Sequence, residues 1–394
     1  MFGSKLVRRS KMLLVVMAIA LIVTSLAGCS GKKQPTDEAI KIGMIAPMTG
    51  PQQFEGQTEV NAVKMAVDEV NKAGGILGGR MITLISEDDM AKPADGVSAI
   101  EKLITKDKVV AIQGAQWSSV SKAIMPVLEK YGVPAVTAIS TAPDITEGTL
   151  PGKDWIFRVI PHDGLVAGSF ANFLKNTLKA SKVDVLAVND DWGRQSTAAI
   201  KTEFEKLGGT LPVIEYYTGG ETNFLPQLTK IKNDKPDALF LVAQSQDGSM
   251  IVKQLKELGW KVPVAGLGAF ASDTFISLAK DAAEGVYSLA QYADGVDTAG
   301  NKAFVDAWKA RYPKSLLPDK YAWGPYTATK VIIKAIEKAG STDPKKIQEA
   351  LKTVTYDGIT GQIAFDQKHQ AHPDVYITQV KNGKAVVVNA VPTK

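Results

Sequence analysis

Residues 40–48 read IKIGMIAPM, residues 81–89 MITLISEDD, residues 109–115 VVAIQGA and residues 133–140 VPAVTAIS. Each is a short apolar run of the kind that forms a strand. Between them the period changes. Val60, Val63, Val67 and Val70 fall on one helical face, as do Val97, Ile100, Leu103 and Ile104. Val120, Ala123, Ile124, Val127, Leu128 and Tyr131 mark a third helix. Strands separated by helical stretches of this length are βαβ units, and they build a parallel sheet.

The same alternation restarts after about residue 180. VDVLAVND (183–190), LPVIEYY (211–217), DALFLVA (237–243), VPVAGLG (262–268) and GVYSLAQY (285–292) read as strands, with helical stretches such as 194–207 and 247–258 between them. Two successive α/β units of similar size predict two similarly built lobes. Residues 300–353 are mostly helical in pattern, and Thr342-Asp343-Pro344 supplies an N-cap followed by proline in the first turn. GQIAFD (361–366), VYITQV (375–380) and AVVVN (385–389) are short strands.

The chain opens differently. Lys5, Arg8, Arg9 and Lys11 precede an apolar run from Met12 to Ala27, and no acid lies among them. That run falls short of the roughly 20 residues a bilayer span needs. A positive segment, a short apolar core and small residues after it read as a secretory signal. The only cysteine, Cys29, follows at once. A lone cysteine in an exported chain forms no internal disulfide. Leu26-Ala27-Gly28-Cys29 resembles the bacterial lipobox, which implies cleavage before Cys29 and a diacylglyceryl group on its sulfur. Residues 1–28 are then a lipoprotein signal peptide and 29–39 a lipid-anchored linker, small and polar enough to act as a flexible leash. Ser30 leaves the choice between inner and outer membrane open.

The formal net charge of +5 belongs mostly to that signal. Without its four cations the chain is close to neutral, so it has no electrostatic reason to bind nucleic acid. Its length exceeds one ordinary core, again in favour of two lobes.

In an open parallel sheet, ligands bind beyond the carboxyl ends of the strands. The loops there are QWSSVS (116–121), ISTAPD (139–144), DDWGRQ (190–195), QSQDG (244–248) and LGAFASD (267–273). Ser118 and Ser119 stand where a helix begins, and free N–H groups with hydroxyls beside them hold an anion. Thr141 follows the neighbouring strand and can join them to grip a carboxylate without arginine. A serine at a helix start is more commonly a plain cap. Phe54, Trp117 and Trp192 lie near these loops as candidate pocket walls.

Other patterns carry less. Residues 266–271 match G-x-G-x-x-A but fall late in the second unit, away from a first βαβ turn. GGILGGR (74–80) lacks the ending of a phosphate loop. His369 and His372 read as a surface turn, so no metal site is expected. Glu87, Asp88 and Asp89 read as a solvated edge or caps. There is no nucleophile elbow, and three histidines are a thin supply for a catalytic triad. No cofactor is expected.

IKIGMIAPMTGP (40–51), AVDEVNKAGGILGGR (66–80), YGVPAVTAISTAPDIT (131–146), FRVIPHD (157–163), PDALFLVA (236–243), DAAEGVY (281–287), YTATKVIIKAIEKAGSTDP (326–344) and GITGQIAFD (358–366) together resemble the branched-chain-amino-acid type of periplasmic substrate-binding protein, the receptor component of an ABC importer. The resemblance covers nearly the whole chain after the signal. It implies an α/β fold of two Rossmann-like lobes joined by three crossover strands, the type I or Venus-flytrap arrangement. Lobe 1 is expected over 40–159 plus 290–368, and lobe 2 over 160–289 plus 369–394.

The resemblance also implies site residues. Ser118 matches a serine that binds the ligand carboxylate, Ile139 a backbone contact, and Thr141 a threonine touching carboxylate and ammonium. Trp192 stands where a tyrosine usually closes the pocket, and Gln244 at another ligand-facing aromatic position. Glu55, with Phe54 beside it, lies where an aromatic covers the ligand. One departure concerns Gly268, which stands where amino-acid binders place an acid for the ammonium. A buried ammonium without a partner is costly. Either Glu55 or Asp273 substitutes, or the ligand is an aromatic or aliphatic acid without an amine.

The expected partners are a small carboxylate-bearing molecule, an ABC permease, and the membrane through the anchor. The protein is expected to act as a monomer, without enzymatic activity, on the periplasmic or cell-surface side. A ligand sensor for a membrane signalling partner is the alternative with the same fold.

Overall fold

The computed structural model describes residues 38–391 and 393. The signal segment, Cys29 and most of the leash lie outside the described residues. The first unit contains strands β1 (Ile40–Ala46), β2 (Ile82–Asp88), β3 (Ala111–Gln113), β4 (Ala135–Thr137) and β5 (Ile156–Arg158). Its helices are α1 (Gln53–Lys72), α2 (Pro93–Thr105) and α3 (Ser118–Tyr131). The sheet order is β2-β1-β3-β4-β5, parallel throughout. Strand β5 is absent from the periodicity reading: its three residues follow a tight turn at Lys153–Trp155 and are too few to show a pattern.

The chain then leaves this sheet. Helix α4 (Asp163–Asn172), β6 (Val183–Val188), α5 (Asp191–Lys206), β7 (Ile214–Tyr217), α6 (Leu225–Asp234), β8 (Ala238–Ala243), α7 (Ser245–Glu257), β9 (Val264–Gly268), α8 (Asp273–Ala279) and β10 (Tyr287–Ala290) follow. It crosses back for α9 (Ala299–Arg311), α10 (Lys320–Ala339), α11 (Pro344–Leu351) and the hairpin β11 (Thr355–Gly358) with β12 (Gly361–Ala364). A third crossing leads to β13 (Val375–Lys381) and β14 (Lys384–Val391). The second sheet runs β14-β13-β10-β9-β8-β6-β7. Within it, β7-β6-β8-β9-β10 repeats the winding of the first sheet, and the antiparallel pair β13 and β14 closes the far edge.

Each sheet has its own core. Val185, Phe240, Leu241 and Ile251 belong to one buried cluster on the second sheet. On the first, Ile42, Phe157, Trp323 and Ile332 cluster on one face, and Ile45, Ile100, Ile124 and Leu128 on the other. A fully buried side chain of this kind contributes about 1.5–3 kcal/mol, so helices cover both faces. Helices α9 and α10 join the first lobe by polar contacts as well: the hydroxyl of Tyr326 in α10 donates to Glu69 at 2.6 Å, and that of Tyr312, just after α9, to the Asn61 carbonyl at 2.8 Å. Asp343 caps α11 through the amides of Lys345 and Lys346 with Pro344 in its first turn, as the sequence predicts.

The two lobes meet along the carboxyl ends of both sheets. Lys122 of α3 reaches Asp144 at 3.0 Å and Asp191 of α5 at 3.1 Å, bridging the lobes. Ile139, Ala269 and Tyr321 form a small buried cluster between them. Among the described residues, no helix is long and apolar enough to cross a membrane.

Candidate ligand cleft

Where the lobes meet, Gln116, Trp117, Ser118, Ile139, Thr141, Asp163, Trp192, Gln244, Gln291 and Lys320 enclose about 330 Å³ of empty space, the mouth included. Every one of these residues follows a strand end or opens a helix, because that is where loops from both sheets converge. Helix α3 begins at Ser118, so the first amides of the helix are free of intrahelical partners. The Ser118 hydroxyl oxygen accepts from the Ala142 amide at 3.2 Å, which leaves its proton to donate. Trp192 is brought in by the tight entry into α5. Asp190 caps that helix at the Gly193 amide, and a Cβ on Gly193 would lie 1.9 Å from the Val188 carbonyl oxygen. Only glycine lets the helix start so close to its strand.

Asp163 is the hub. Its Oδ2 accepts from Thr141 at 2.9 Å, from the Trp192 indole at 2.8 Å and from the Ser196 hydroxyl. Thr141 comes from the first lobe and the other two donors from the second. Burial raises the Asp163 pKa, while the donors oppose that rise. An oxygen accepting three hydrogen bonds is that of an ionised carboxylate. Among the described residues no hydrogen bond engages Oδ1, and Asp163 lines the cavity.

Lys320 opens α10. Burial lowers its pKa to about 8, and Asp163, Asp319, Glu55 and Glu59 oppose that fall, so it is cationic at neutral pH. It lies 4.8 Å from the Tyr321 ring centroid. The Tyr321 hydroxyl donates to Gln244 Oε1 across the cleft.

Of the sequence-derived candidates, Trp117, Ser118, Ile139, Thr141, Trp192 and Gln244 line the cavity together. Phe54 is not brought there: it is 62 % exposed at the start of α1, where that helix turns its next residue inward instead. Ser119, one helical step beyond Ser118, is half-buried and absent from the cavity lining. Glu55 is buried behind the cavity, where the Ser245 hydroxyl faces it and burial raises its pKa. Gly268 ends β9 opposite Ala243. Asp273, the other proposed substitute for the missing acid, accepts from the Leu317 amide at 3.0 Å and is absent from the lining.

Asp163, Lys320, Gln116 and Gln291 escaped the sequence reading. Asp163 closes the stretch FRVIPHD, but the three-residue β5 carries no period that would mark the loop after it. Gln116 stands in the loop 116–121, beside Trp117, and Gln291 in the stretch 285–292.

Glu87, Asp88 and Asp89 are not a uniform solvated edge. Asp88 accepts from the Met48 and Met90 amides, whereas Asp89 is wholly buried with Oδ2 unpartnered. Burial pushes its pKa up to about 7, against one amide bond from Ala91, with Asp88 and Asp95 adding to the rise. An acid whose pKa rises on folding contributes stability below its unfolded value and loses it as pH climbs through the folded one. Asp89→Asn should therefore stabilise the protein at pH 8 by at most about 4 kcal/mol and have little effect near pH 4. Urea unfolding at both pH values checks this, and an equal effect at both would refute it.

A model of the periplasmic binding protein family matches residues 39–385, almost the whole described chain. The chain belongs to the periplasmic binding protein family. That family is one of solute-binding receptors rather than enzymes. A Pseudomonas aeruginosa protein named for binding leucine, isoleucine, valine, threonine and alanine is 28% identical over 91% of this chain and 96% of its own length. The crystal structure of a leucine-binding protein from Thermotoga maritima superposes with a TM-score of 0.82 at 28% identity, covering 90% of this chain and 99% of that one. A solute-binding protein from Rhodopseudomonas palustris, solved with 3,4-dihydroxybenzoic acid, gives 0.82 at 26% identity over 90% and 98%. Among the described residues of this periplasmic binding protein there is no cluster of metal ligands.

Proposed function

We propose that this protein is the extracytoplasmic solute receptor of an ABC importer, tethered through a lipid on Cys29, and that it delivers a small carboxylate-bearing ligand to the permease. The observation that carries this reading is the cavity itself, closed between two lobes, with a helix N-terminus and the Ser118 hydroxyl on one wall. The ligand carboxylate sits at the first turn of α3, where amides and hydroxyl donate to it. Thr141 lies beside it. Asp163 takes the place of the acid missing at Gly268 and receives an ammonium on its free oxygen, which favours an amino acid over an amine-free acid. Trp117 and Trp192 are walls.

The lobes close because the ligand touches both, so binding favours the closed state by its differential affinity. Thermal denaturation against amino acids and amine-free acids tests the reading, since a ligand of the native state raises the midpoint. Stabilisation by neither panel, on protein refolded to remove resident ligand, would overturn it. Ser118→Ala should weaken binding of the stabilising ligand by about 1.5–3 kcal/mol, the usual worth of a hydrogen bond to a charged group. Unchanged affinity by titration calorimetry would remove Ser118 from the site.

A further inference from the structure

Several groups that line the cavity do not suit an aliphatic side chain. Gln116 is 3 % exposed and neither side-chain polar atom has a partner among the described residues; Gln291 is 3 % exposed and its Oε1 has none. Both line the space, with Gln244 between the lobes. A closed cleft filled by hydrocarbon would leave these amides unpaired, and each orphaned group opposes closure.

Lys320 lies in the same wall. It is buried, and no hydrogen bond contributes to its electrostatics; only charges at longer range do. Asp163, Asp319, Glu55 and Glu59 favour its charged form at longer range, but among the described residues none forms an ion pair or hydrogen bond with it. Burial raises Glu55 and raises Glu59 well above the carboxylate range, and it takes Asp319 to about 7. Glu59 has both oxygens unpartnered in the interior, as a protonated acid tolerates and an ionised one does not. Asp163, the one ionised acid on the cavity, has Oδ2 saturated by Thr141, Trp192 and Ser196. The cavity wall therefore presents two anion-seeking groups, the α3 N-terminus and Lys320, and one carboxyl group, that of Asp163.

We propose that the ligand carries a second carboxylate, seated at Lys320 and the glutamine amides, so that the protein is a receptor for acidic amino acids. This rests on the carboxylate-receptor reading above and narrows it.

The test is titration calorimetry on refolded, ligand-free protein with L-glutamate, L-aspartate, L-norvaline and L-leucine, alongside benzoate as an amine-free monoacid. Norvaline matches the carbon chain of glutamate without its second carboxylate. Glutamate or aspartate should bind at least about 10-fold more tightly than norvaline or leucine, as a charge-assisted bond dictates. Lys320→Met should weaken the acidic ligand by about 10- to 100-fold and change norvaline binding by less than about 3-fold. Lys320→Arg, which keeps the charge, should retain the preference and guards against misreading a folding defect. Tighter binding of leucine, norvaline or benzoate, or an equal loss for both ligand types in Lys320→Met, would overturn the second-carboxylate proposal alone. Absence of binding by every carboxylate tested would remove the carboxylate-receptor reading and this proposal with it.

Discussion

Arg158→Met should be among the most damaging substitutions in the protein, lowering stability by about 3–5 kcal/mol, because it strands several buried acceptors that each cost about 1–3 kcal/mol. Arg158 ends β5 and is fully buried. Its Nε donates to Gln370 Oε1 at 2.7 Å, its Nη1 to the carbonyls of Ser140 at 3.2 Å and Ala142 at 2.7 Å, and its Nη2 to the Thr146 hydroxyl. These partners are neutral oxygens on segments far apart in sequence, including the third crossing between the lobes. Burial lowers the arginine pKa to about 9, so at neutral pH the guanidinium remains charged, and four of its five N–H donors are in use. Methionine keeps part of the stem volume and none of the donors. Native domains are stable by only about 5–15 kcal/mol, so the urea midpoint should fall steeply. The two carbonyls held by Nη1 flank Thr141, so ligand affinity should fall in the surviving folded fraction. A loss below about 1 kcal/mol would show that water replaces the guanidinium without penalty.

The same residue shows what the sequence could and could not reveal. The alternation of apolar strands and amphipathic helices was legible because it is local: a strand such as VDVLAVND and the face of α3 carry their periods within a few residues. Parallel pairing followed from the βαβ alternation, and the Rossmann-like winding from the family resemblance. Arg158 and Gln370 were invisible, because an arginine next to valine carries no period, and its partners are set by how the crossings fold back. The site divided along the same line. Ser118, Thr141 and Trp192 sat in loops after recognisable strands. Asp163 followed a three-residue strand, and Lys320 stood first in a helix, where a lysine reads as solvated. Burying it required α10 to dock its first turn into the cleft. Phe54 failed for the opposite reason. It occupies the right part of the chain, but α1 places Glu55 inward, and adjacent helical residues cannot share a face.

Asp163→Asn should separate ligands by their amine. For an amino acid the loss should be about 2–4 kcal/mol, since the variant removes the charge facing a buried ammonium and leaves that ammonium unpaired. For an amine-free acid of the same length the affinity should hold or improve, because no cation needs the carboxylate. The contrast is informative because Asp163 has two tasks. Through Oδ2 it ties Thr141 of one lobe to Trp192 and Ser196 of the other, and its carboxyl group belongs to the cavity wall. Asparagine retains an acceptor for the first task and loses the charge the second requires. A purely architectural role would weaken every ligand by the same factor, as would a general loosening of the closed state. Calorimetry with an amino acid and its amine-free counterpart, on wild type and variant, measures the coupling as a double-mutant cycle does, with the ligand amine as the second mutation. A coupling of zero would return the missing acid at Gly268 to the front as the mark of an amine-free ligand. A coupling of more than about 2 kcal/mol would mean that the acid of this cleft has moved from the end of β9 to the end of the first crossing, where it also serves to hold the lobes together.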